Sequence, residues 1–302
     1  MKKILLFSSL CKPKKVLEQS LPSMIELHHE GVELDVLFYD DNKTNEAQHF
    51  VQNTGAQYDH VTIEKDYLQS LSTYKKHNWT VSAVDRIIEI KNRAIQIALE
   101  NDYDYLFLVD ADLVLHPDTL LHLLRQEKDF IFELFWTVFT NDSIAKPNCW
   151  DIHSWSYTSA QTILQLKNPG TYKVGAGGAC TLLSKKALKK GLDFKRISNL
   201  PYGGEDRHIC TRAEVLDIDI YIDTHYPAYH IHNPDKNLEA QEWKQNGYKR
   251  SFFDSWLDAN WEIAVKDSLI PKEAIVPKTK IHKVRLALYK AKRAYYNYMR
   301  FN

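Results

Sequence analysis

The sequence has little cysteine, no excess charge of either sign and no long apolar run. Its four cysteines, Cys11, Cys149, Cys180 and Cys210, form no Cys-x-x-Cys pair, a pattern that argues against a structural zinc site and is typical of a reducing compartment. The 39 Lys and Arg residues balance the 39 Asp and Glu residues, so no nucleic acid is expected as a partner. No apolar run approaches the ~20 residues that a membrane-spanning helix needs. The sequence therefore predicts a cytoplasmic protein, either soluble or peripheral at the inner face of the membrane.

The two common glycine-rich phosphate motifs are also missing. No G-x-G-x-x-G follows the first predicted strand, and no G-x-x-x-x-G-K-[ST] occurs. The glycine-rich stretch that is present, Lys173 to Leu183, leads into a strand-like apolar run. Its glycines leave room for a ligand to approach the backbone closely. Two interpretations therefore stand for Gly177 and Gly178, a floor for a bulky ligand or a bulged strand.

Strand and helix patterns alternate through the first third of the chain. Apolar runs at 4–10, 32–39 and 58–63 have strand length, and the segments 13–29 and 44–54 between them suit helices. Such alternation predicts a mainly parallel α/β sheet with helices on both faces. At 302 residues the chain is long enough for one large domain or for one domain plus an extension.

The apolar run from Tyr105 to Val109 ends in Asp110-Ala111-Asp112. The run predicts a strand that is buried on both faces. Residues two apart at a strand end point to the same side, so the two carboxylates can converge on one cation or on its water shell. The alternative is an ordinary strand-to-helix turn. Because His116-Pro117-Asp118 already supplies a helix start, a cation site is favoured.

Two further segments combine acids or histidines with a predicted element boundary. Glu205-Asp206 follow two glycines at the start of a predicted helix, where the helix dipole favours ionised carboxylates. One of these acids can serve as a base, and plain N-terminal capping is the alternative. Further on, His230 and His232 lie two residues apart after a predicted strand, which makes an imidazole metal ligand plausible.

In their order, these segments resemble nucleotide-sugar glycosyltransferases with the GT-A (Rossmann-like) fold, of the family 2 type and its bacterial relatives. The family pattern is an acid on the nucleoside, a D-x-D after a core strand, a glycine-rich acceptor-side strand, an E-D at a helix start and a late His. Over roughly residues 1–235 this sequence presents Asp40 and Asp41, Asp110-Ala111-Asp112, Gly175 to Cys180, Glu205-Asp206, and His230 or His232.

The resemblance implies how a donor and its metal ion would be held. It implies a Mn²⁺ or Mg²⁺ ion with Asp112 as direct ligand, Asp110 on the metal-bound water or the ribose, and His230, or alternatively His232, as a further ligand. The nucleotide-sugar would contact a set of residues drawn from both strands, the preceding helix and the glycines, namely Asp40, Asp41, Arg93, Asp110, Ala111, Gly177 and Gly178.

The resemblance also implies the acceptor side. Asp206 would be the general base, with Glu205 orienting the acceptor or sharing that role, as in inverting members. Trp136 and Trp150 would stack on sugar rings of the acceptor. The Q-x-x-R-W motif of processive relatives is missing, which implies addition of a single sugar.

The end of the chain has a different character. Residues 278–300 carry basic residues without acids, together with apolar and Tyr residues at helical spacing. This pattern predicts a basic amphipathic helix that would bind either an anionic membrane surface or a protein surface, namely the catalytic domain or a second copy of the chain. We therefore expect a catalytic domain over 1–235, with a nucleotide-binding half (1–112) and an acceptor half (113–235), and a helical C-terminal extension over 236–302.

The predicted function is metal-dependent transfer of one sugar from a nucleotide-sugar donor to a glycan, lipid-linked or protein acceptor. Retaining relatives share the D-x-D, so inversion depends on the assignment of Asp206. One alternative is a nucleotidyltransferase of similar fold. Such enzymes usually carry a glycine-rich basic loop after the first strand, and the corresponding segment here, Ser8-Ser9-Leu10-Cys11-Lys12, contains no glycine. The other is a glycan-binding or scaffold protein without turnover.

Overall fold

A computed structural model describes residues 1–65, 81–138, 144–153, 155–156, 159–200 and 204–267. Side chains at 81, 82 and 267 are outside this description. The predicted basic helix 278–300, and with it the predicted membrane or oligomer contact, lies outside the described residues.

The elements follow the predicted alternation. The strands are β1 (Lys2–Leu10), β2 (Val32–Asp40), β3 (Val61–Lys65), β4 (Tyr105–Val109), β5 (Leu113–Val114), β6 (Phe130–Thr137), β7 (Lys146–Pro147), β8 (Cys149–Trp150), β9 (Thr171–Val174), β10 (Ala176–Gly177), β11 (Cys180–Ser184) and β12 (Ile220–His230). The helices are α1 (Lys14–Ile25), α2 (Asn45–Gly55), α3 (Val81–Glu100), α4 (Thr119–Arg125), α5 (Ala160–Leu166), α6 (Lys185–Lys189), α7 (Glu205–Val215), α8 (Asn237–Gln245) and α9 (Asp254–Asp267). Single 3₁₀ turns occur at Pro234–Lys236 and Arg250–Phe253.

Side-chain caps start several of these helices. Thr44 Oγ1 accepts a hydrogen bond from the Ala47 amide at the start of α2, at 3.4 Å. The Ser184 hydroxyl does the same for the Ala187 amide at the start of α6, at 3.1 Å. Each such cap satisfies an amide that has no partner inside the helix and contributes about 1 kcal/mol. At α7, Glu205 and Asp206 occupy the first turn.

The strands form one mixed sheet with the order β3-β2-β1-β4-β11-β6-β12-β5. β1 pairs in parallel with β2 and β4, β2 with β3, and β6 with β12. β11 lies antiparallel between β4 and β6, so β1, β2, β3, β4, β6 and β12 all run in the same direction. The prediction of a mainly parallel sheet is confirmed, with β11 and the short strands β5, β7 and β9 reversed.

Both faces of the sheet are covered, because neighbouring residues of the central strands enter different apolar clusters. Leu106 and Leu108 pack with α3 and α7 on one face. Phe107 and Val109 pack with α1, α2 and α4 on the other. Each fully buried side chain of this size contributes roughly 1.5–3 kcal/mol, which explains why the central strands are almost continuously apolar.

The C-terminal part of the described chain packs into the same core. Trp243 of α8 is fully buried and lies in the cluster that also holds Tyr229 of β12. The Tyr229 hydroxyl donates a hydrogen bond to Glu239 Oε2 at 2.9 Å. The predicted extension is therefore helical over α8 and α9 and rests on the sheet. No helix of the described residues combines the length and apolarity that crossing a membrane requires.

The directions of the strands bring distant parts of the sequence to one edge. β1 ends at Leu10, β2 at Asp40, β4 at Val109, β6 at Thr137 and β12 at His230. Because these strands share one direction, their carboxyl ends lie at the same edge of the sheet. In open α/β sheets, that edge is where ligands bind.

Candidate functional site

A pocket of about 620 Å³ opens at this edge. The predicted site residues that line it are Asp41, Asp110, Ala111, Asp112, Trp150, Gly178, Glu205, Asp206, His230 and His232. Residues more than 100 positions apart in sequence thus meet in one cavity. Its basic lining residues are Lys12, Lys43, Arg86 and Lys91.

At one end of the pocket, Asp112 lies between an ammonium and an imidazole. Its Oδ2 is 2.5 Å from Lys12 Nζ and 3.3 Å from His230 Nε2. Burial raises the pKa of Asp112, but Lys12 and His230 outweigh burial and hold it well below its ordinary value. Asp112 is therefore ionised in the folded protein.

The sheet fixes this pair in place. The Asp112 carbonyl accepts a hydrogen bond from the Ile231 amide at 2.8 Å, and His230 is the register partner of Leu113. On the far side of the imidazole, His230 Nδ1 lies 3.2 Å from Thr137 Oγ1 at the end of β6. Backbone pairing and the threonine together orient His230 Nε2 toward Asp112.

At the other end, Lys91 connects three acids. Its Nζ lies 2.7 Å from Glu205 Oε1, 3.6 Å from Asp110 Oδ1 and 3.8 Å from Asp206 Oδ1. Burial lowers the pKa of Lys91, but Glu205, Asp110 and Asp206 outweigh it and raise the pKa well above its ordinary value. Lys91 is therefore a permanent cation, and it holds Glu205 in a buried ion pair.

Two of these acids have raised pKa values. The Asp206 carboxyl lies in a partly enclosed recess, and this loss of hydration, together with Glu205 and Asp110, raises its pKa to about 7 against the opposing effect of Lys91. The pKa of Asp110 is raised mainly by desolvation, although its side chain is 42% exposed to the pocket. Near neutral pH, Asp206 can therefore take up a proton, as a general base must.

The glycine-rich strand makes room for Asp206. A Cβ added to Gly178 would lie 2.4 Å from Asp206 Cγ, so only glycine allows the carboxylate to lie against this backbone. Gly177 instead allows the Phe132 ring to pack against the backbone, because a Cβ there would lie 2.0 Å from that ring. Asn148 fixes the strand by donating from Nδ2 to the Gly178 carbonyl at 3.1 Å.

The acids at the end of β2 point in different directions. Asp41 lines the pocket, and its Oδ2 is 2.9 Å from Arg86 Nε. Asp40 is buried, and its Oδ1 accepts hydrogen bonds from the amide and side chain of Asn42. Of the two acids offered for the nucleoside, Asp41 is the one on the pocket wall.

Besides Asp40, three predicted residues lie apart from the lining. Arg93 is half-exposed on α3 and pairs with Glu100 at 3.9 Å. Arg86 and Lys91 of the same helix reach the pocket instead. Trp136 is 0% exposed and packs edge-on against Trp256, so it belongs to the core and has no face for a sugar. Gly177 packs on Phe132, as described above, so Gly178 alone of the two glycines is pocket floor.

Two of the three predicted metal ligands, Asp112 and His230, converge in a way that suits a divalent ion. Asp112 Oδ2 and His230 Nε2 converge at 3.3 Å, an oxygen and a nitrogen that Mn²⁺ accepts. The Asp110 carboxylate turns toward Lys91 instead. In the described part of the chain, these three predicted ligands do not form a single close cluster. Lys12 lies beside Asp112 at the same place, so any ion there shares Asp112 with an ammonium.

Sequence patterns missed the two lysines that organise the pocket. Lys12 lies two residues beyond the carboxyl end of β1. A cation directly after a predicted parallel strand is the signal that could have identified it. Lys91 follows Ile87 by four residues, within the apolar stripe of α3. A charged residue inside such a stripe is the available signal, since it must be paired when buried.

Together, fold and pocket define an α/β protein with a charged cleft at the carboxyl ends of its strands. No family model and no curated protein matches the chain. Among solved structures, it is similar to residues 1–349 of S. aureus TarS, with 13% identity, 94% of this chain and 77% of that chain covered, and a TM-score of 0.48. It is also similar to that protein in complex with UDP, with 13% identity, shares of 93% and 76%, and a TM-score of 0.49.

Proposed function

We propose that the protein is a glycosyltransferase that moves one sugar from a nucleotide-sugar donor to an acceptor hydroxyl. The proposal is supported chiefly by one observation, the two charged clusters in a single pocket. Lys12, Asp112 and His230 form one cluster, and Lys91 with Glu205 and Asp206 forms the other. The first suits a diphosphate, and the second offers an acid whose pKa is about 7 to an attacking hydroxyl.

The donor would lie along the β1, β2 and β4 ends. Asp41, held by Arg86, would accept hydrogen bonds from the nucleoside. Lys12 would neutralise the diphosphate. Asp112 and His230 would hold a Mn²⁺ or Mg²⁺ ion, with Asp110 on its water shell. When bound, such an ion supplies Lewis-acid stabilisation of charge on the leaving diphosphate.

The transfer balances with Asp206 as general base. The acceptor oxygen forms a bond to the anomeric carbon of the donor sugar, and the bond from that carbon to the diphosphate oxygen breaks with its electron pair. The acceptor proton passes to Asp206. Glu205 stays paired with Lys91, which keeps the neighbouring Asp206 in position. Direct displacement of this kind inverts the anomeric configuration.

The acceptor would enter beside Trp150, which lines the pocket and stacks on Trp155 with ring centroids 6.3 Å apart. A flat indole suits the weakly apolar face of a sugar ring. We therefore place a saccharide, free, lipid-linked or protein-linked, at this side. A cytoplasmic location is part of the same proposal, with 278–300 contacting either an anionic membrane surface or a second copy of the chain.

The test is release of nucleoside diphosphate from a panel of UDP- and GDP-sugars with Mn²⁺ and a mixture of sugar acceptors. We expect turnover with at least one donor, a loss of about 10²–10⁴-fold in Asp206→Asn and little change in Arg93→Met, which lies outside the pocket. Absence of turnover with every donor, in a protein that also binds no nucleoside diphosphate by calorimetry, would refute the proposal. Binding without turnover would favour the non-catalytic alternative.

A further inference from the structure

A second group of potential metal ligands lies outside the pocket lining. It comprises His122 of α4 and Asp223 and His225 of β12. His122 Nε2 is 3.2 Å from Asp223 Oδ2 and 3.1 Å from His225 Nδ1, and His225 Nδ1 is 3.2 Å from the same Asp223 oxygen. Three donor atoms from two elements therefore form a nearly equilateral triangle.

The size of this triangle suits a tetrahedral ion. With ligands at roughly 2.0 Å, tetrahedral geometry separates neighbouring donor atoms by about 3.3 Å. The observed separations of 3.1 to 3.2 Å are close to that value. Two imidazole nitrogens and one carboxylate oxygen are a donor set that Zn²⁺ accepts. The His122 and His225 side chains are 16% and 35% exposed, which leaves a fourth position for water.

Three polar groups surround His122 Nε2. Besides Asp223 and His225, it faces the side-chain amide of Gln126 at 3.2 Å. That amide also donates to the His122 carbonyl at 3.2 Å, so the NH₂ group is on the His122 side. A protonated Nε2 would oppose this donor, and an unprotonated Nε2 would oppose the Asp223 carboxylate. A cation among the three ligands would face the carboxylate as a ring proton does, and it would also bind His122 Nε2 and His225 Nδ1, which face each other at 3.1 Å.

Neighbouring residues orient the Asp223 carboxylate and exclude solvent from it. Thr171 Oγ1 donates to Asp223 Oδ2 at 2.6 Å, an outer contact of the kind that holds metal-binding carboxylates in place. Asp223 is 0% exposed, and its register partner on β6, Glu133, is also 0% exposed. Burial, together with Asp223, raises the pKa of the Glu133 carboxyl well above its ordinary value, so Asp223 is the carboxylate that a nearby cation would neutralise.

The cluster lies at the point where β12 is irregular. The register of β12 on β6 changes from Asp223–Glu133 to Ala228–Phe135, so residues 224–227 of β12 loop out opposite the single intervening residue of β6. His225 belongs to this loop, and Arg250 Nε donates to the Thr224 carbonyl at 2.9 Å. A link between the loop and α4 would fix the shape of β12 ahead of His230.

We propose that His122, Asp223 and His225, with water as fourth ligand, bind a Zn²⁺ ion that fastens the β12 loop to α4. The absence of Cys-x-x-Cys pairs does not oppose this site, because no thiolate takes part. The inference does not rest on the proposed function. Its test needs neither donor nor acceptor.

The experiment measures zinc in the full-length protein after incubation with Zn²⁺ and dialysis. We expect about one bound ion per chain, lost in His122→Ala and in His225→Ala. It should be retained in Asp112→Asn, which alters the pocket, and in His49→Ala, which removes an exposed histidine of α2. Wild-type protein without zinc, or zinc retained by both cluster variants, would overturn the proposal.

A second measurement does not depend on the folding of variants. Wild-type protein loaded with Co²⁺ should show the visible absorption of a tetrahedral site without a thiolate charge-transfer band. Zn²⁺ should raise the melting temperature of the wild type but not that of His122→Gln, whose folding is checked by circular dichroism. A thiolate band would place the ion at a cysteine, and an octahedral spectrum would place it on oxygen ligands, so either result would contradict the site.

Discussion

Lys91 Nζ of helix α3 lies 2.7 Å from Glu205 Oε1 in the first turn of helix α7, and both side chains are more than nine-tenths buried. This ion pair joins the helix that precedes β4 to the helix that carries Asp206. Lys91 is also the nearest cation to Asp110 and Asp206 among the ion pairs of the described residues. A single lysine therefore stabilises the fold and sets the charge of the pocket.

Removing this cation should destabilise the protein strongly. Lys91→Met leaves Glu205 buried without its partner, and breaking a buried pair from one side costs about 3–5 kcal/mol. Urea unfolding measures the loss. Arg93→Met is the matched control, because Arg93 pairs at the surface with Glu100 and should change the free energy of unfolding by less than about 1 kcal/mol. Equal effects of the two variants would contradict the role given to Lys91.

Activity should rise with pH through about 7, because a general base must be ionised and the pKa of Asp206 is raised to about 7. Below that pH the carboxyl is protonated and kcat/KM falls. Glu205→Gln removes a neighbouring negative charge that raises this pKa, so the acidic limb should move to lower pH. The profile of kcat/KM between pH 5 and pH 9 measures both. An unmoved limb in Glu205→Gln would assign the titration to another group.

Alanine substitutions at the two adjacent glycines should have different effects, one mainly on activity and the other mainly on stability. In Gly178→Ala the new methyl meets the Asp206 carboxylate, so we expect roughly a 10²-fold loss of kcat, the scale of a displacement of about 1 Å at a reacting group. In Gly177→Ala the methyl meets the buried Phe132 ring, and overpacking costs about 1–3 kcal/mol. Thermal unfolding and turnover are compared for both variants. The pattern is contradicted if Gly177→Ala is the more damaging to turnover at a temperature where both are folded.

Lys12 should bind the donor diphosphate. Lys12→Met removes a hydrogen-bonding cation, a change of about 1.5–3 kcal/mol in binding free energy, and should weaken nucleoside diphosphate binding about 10- to 100-fold by calorimetry. Lys15→Met is the control, since Lys15 pairs with the exposed Asp235 on the surface.

Chelation of divalent metal ions should abolish turnover, and Mn²⁺ should restore it in the wild type but not in Asp112→Asn. Full turnover in the presence of chelator would remove the metal from the proposal.

The two tryptophans named from the sequence should behave differently. Trp136 is fully buried, so Trp136→Ala should lower the free energy of unfolding by about 3–5 kcal/mol. Trp150 lines the pocket, so Trp150→Phe should raise the acceptor KM while leaving donor binding unchanged. Steady-state kinetics with varied acceptor measure this. An altered donor affinity in Trp150→Phe would move that residue to the donor side.

Local pattern alone predicted the alternating elements and the acids at their ends. The apolar run 105–109 is a buried strand, and Asp110 and Asp112 follow it directly, because strand length and burial are readable from a few neighbouring residues. The same holds for Glu205 and Asp206 at the start of a helix. These positions depend on backbone periodicity, which is a property of short segments.

Tertiary packing decided which side chains reach the pocket. Lys91 and Arg93 are two residues apart on one helix, a rotation of about 200°, and only the docking of α3 on the sheet selects Lys91. Trp136 is buried because β7 pairs with it and Trp256 of α9 packs against it, and the α9 contact comes from about 120 residues later in the chain. The cluster of His122, Asp223 and His225 forms because α4 packs beside the β12 loop, roughly 100 residues later in the chain. Sequence therefore determined the strand ends that carry the acids. Long-range packing decided their partners, since a side-chain direction is fixed only when another element contacts it.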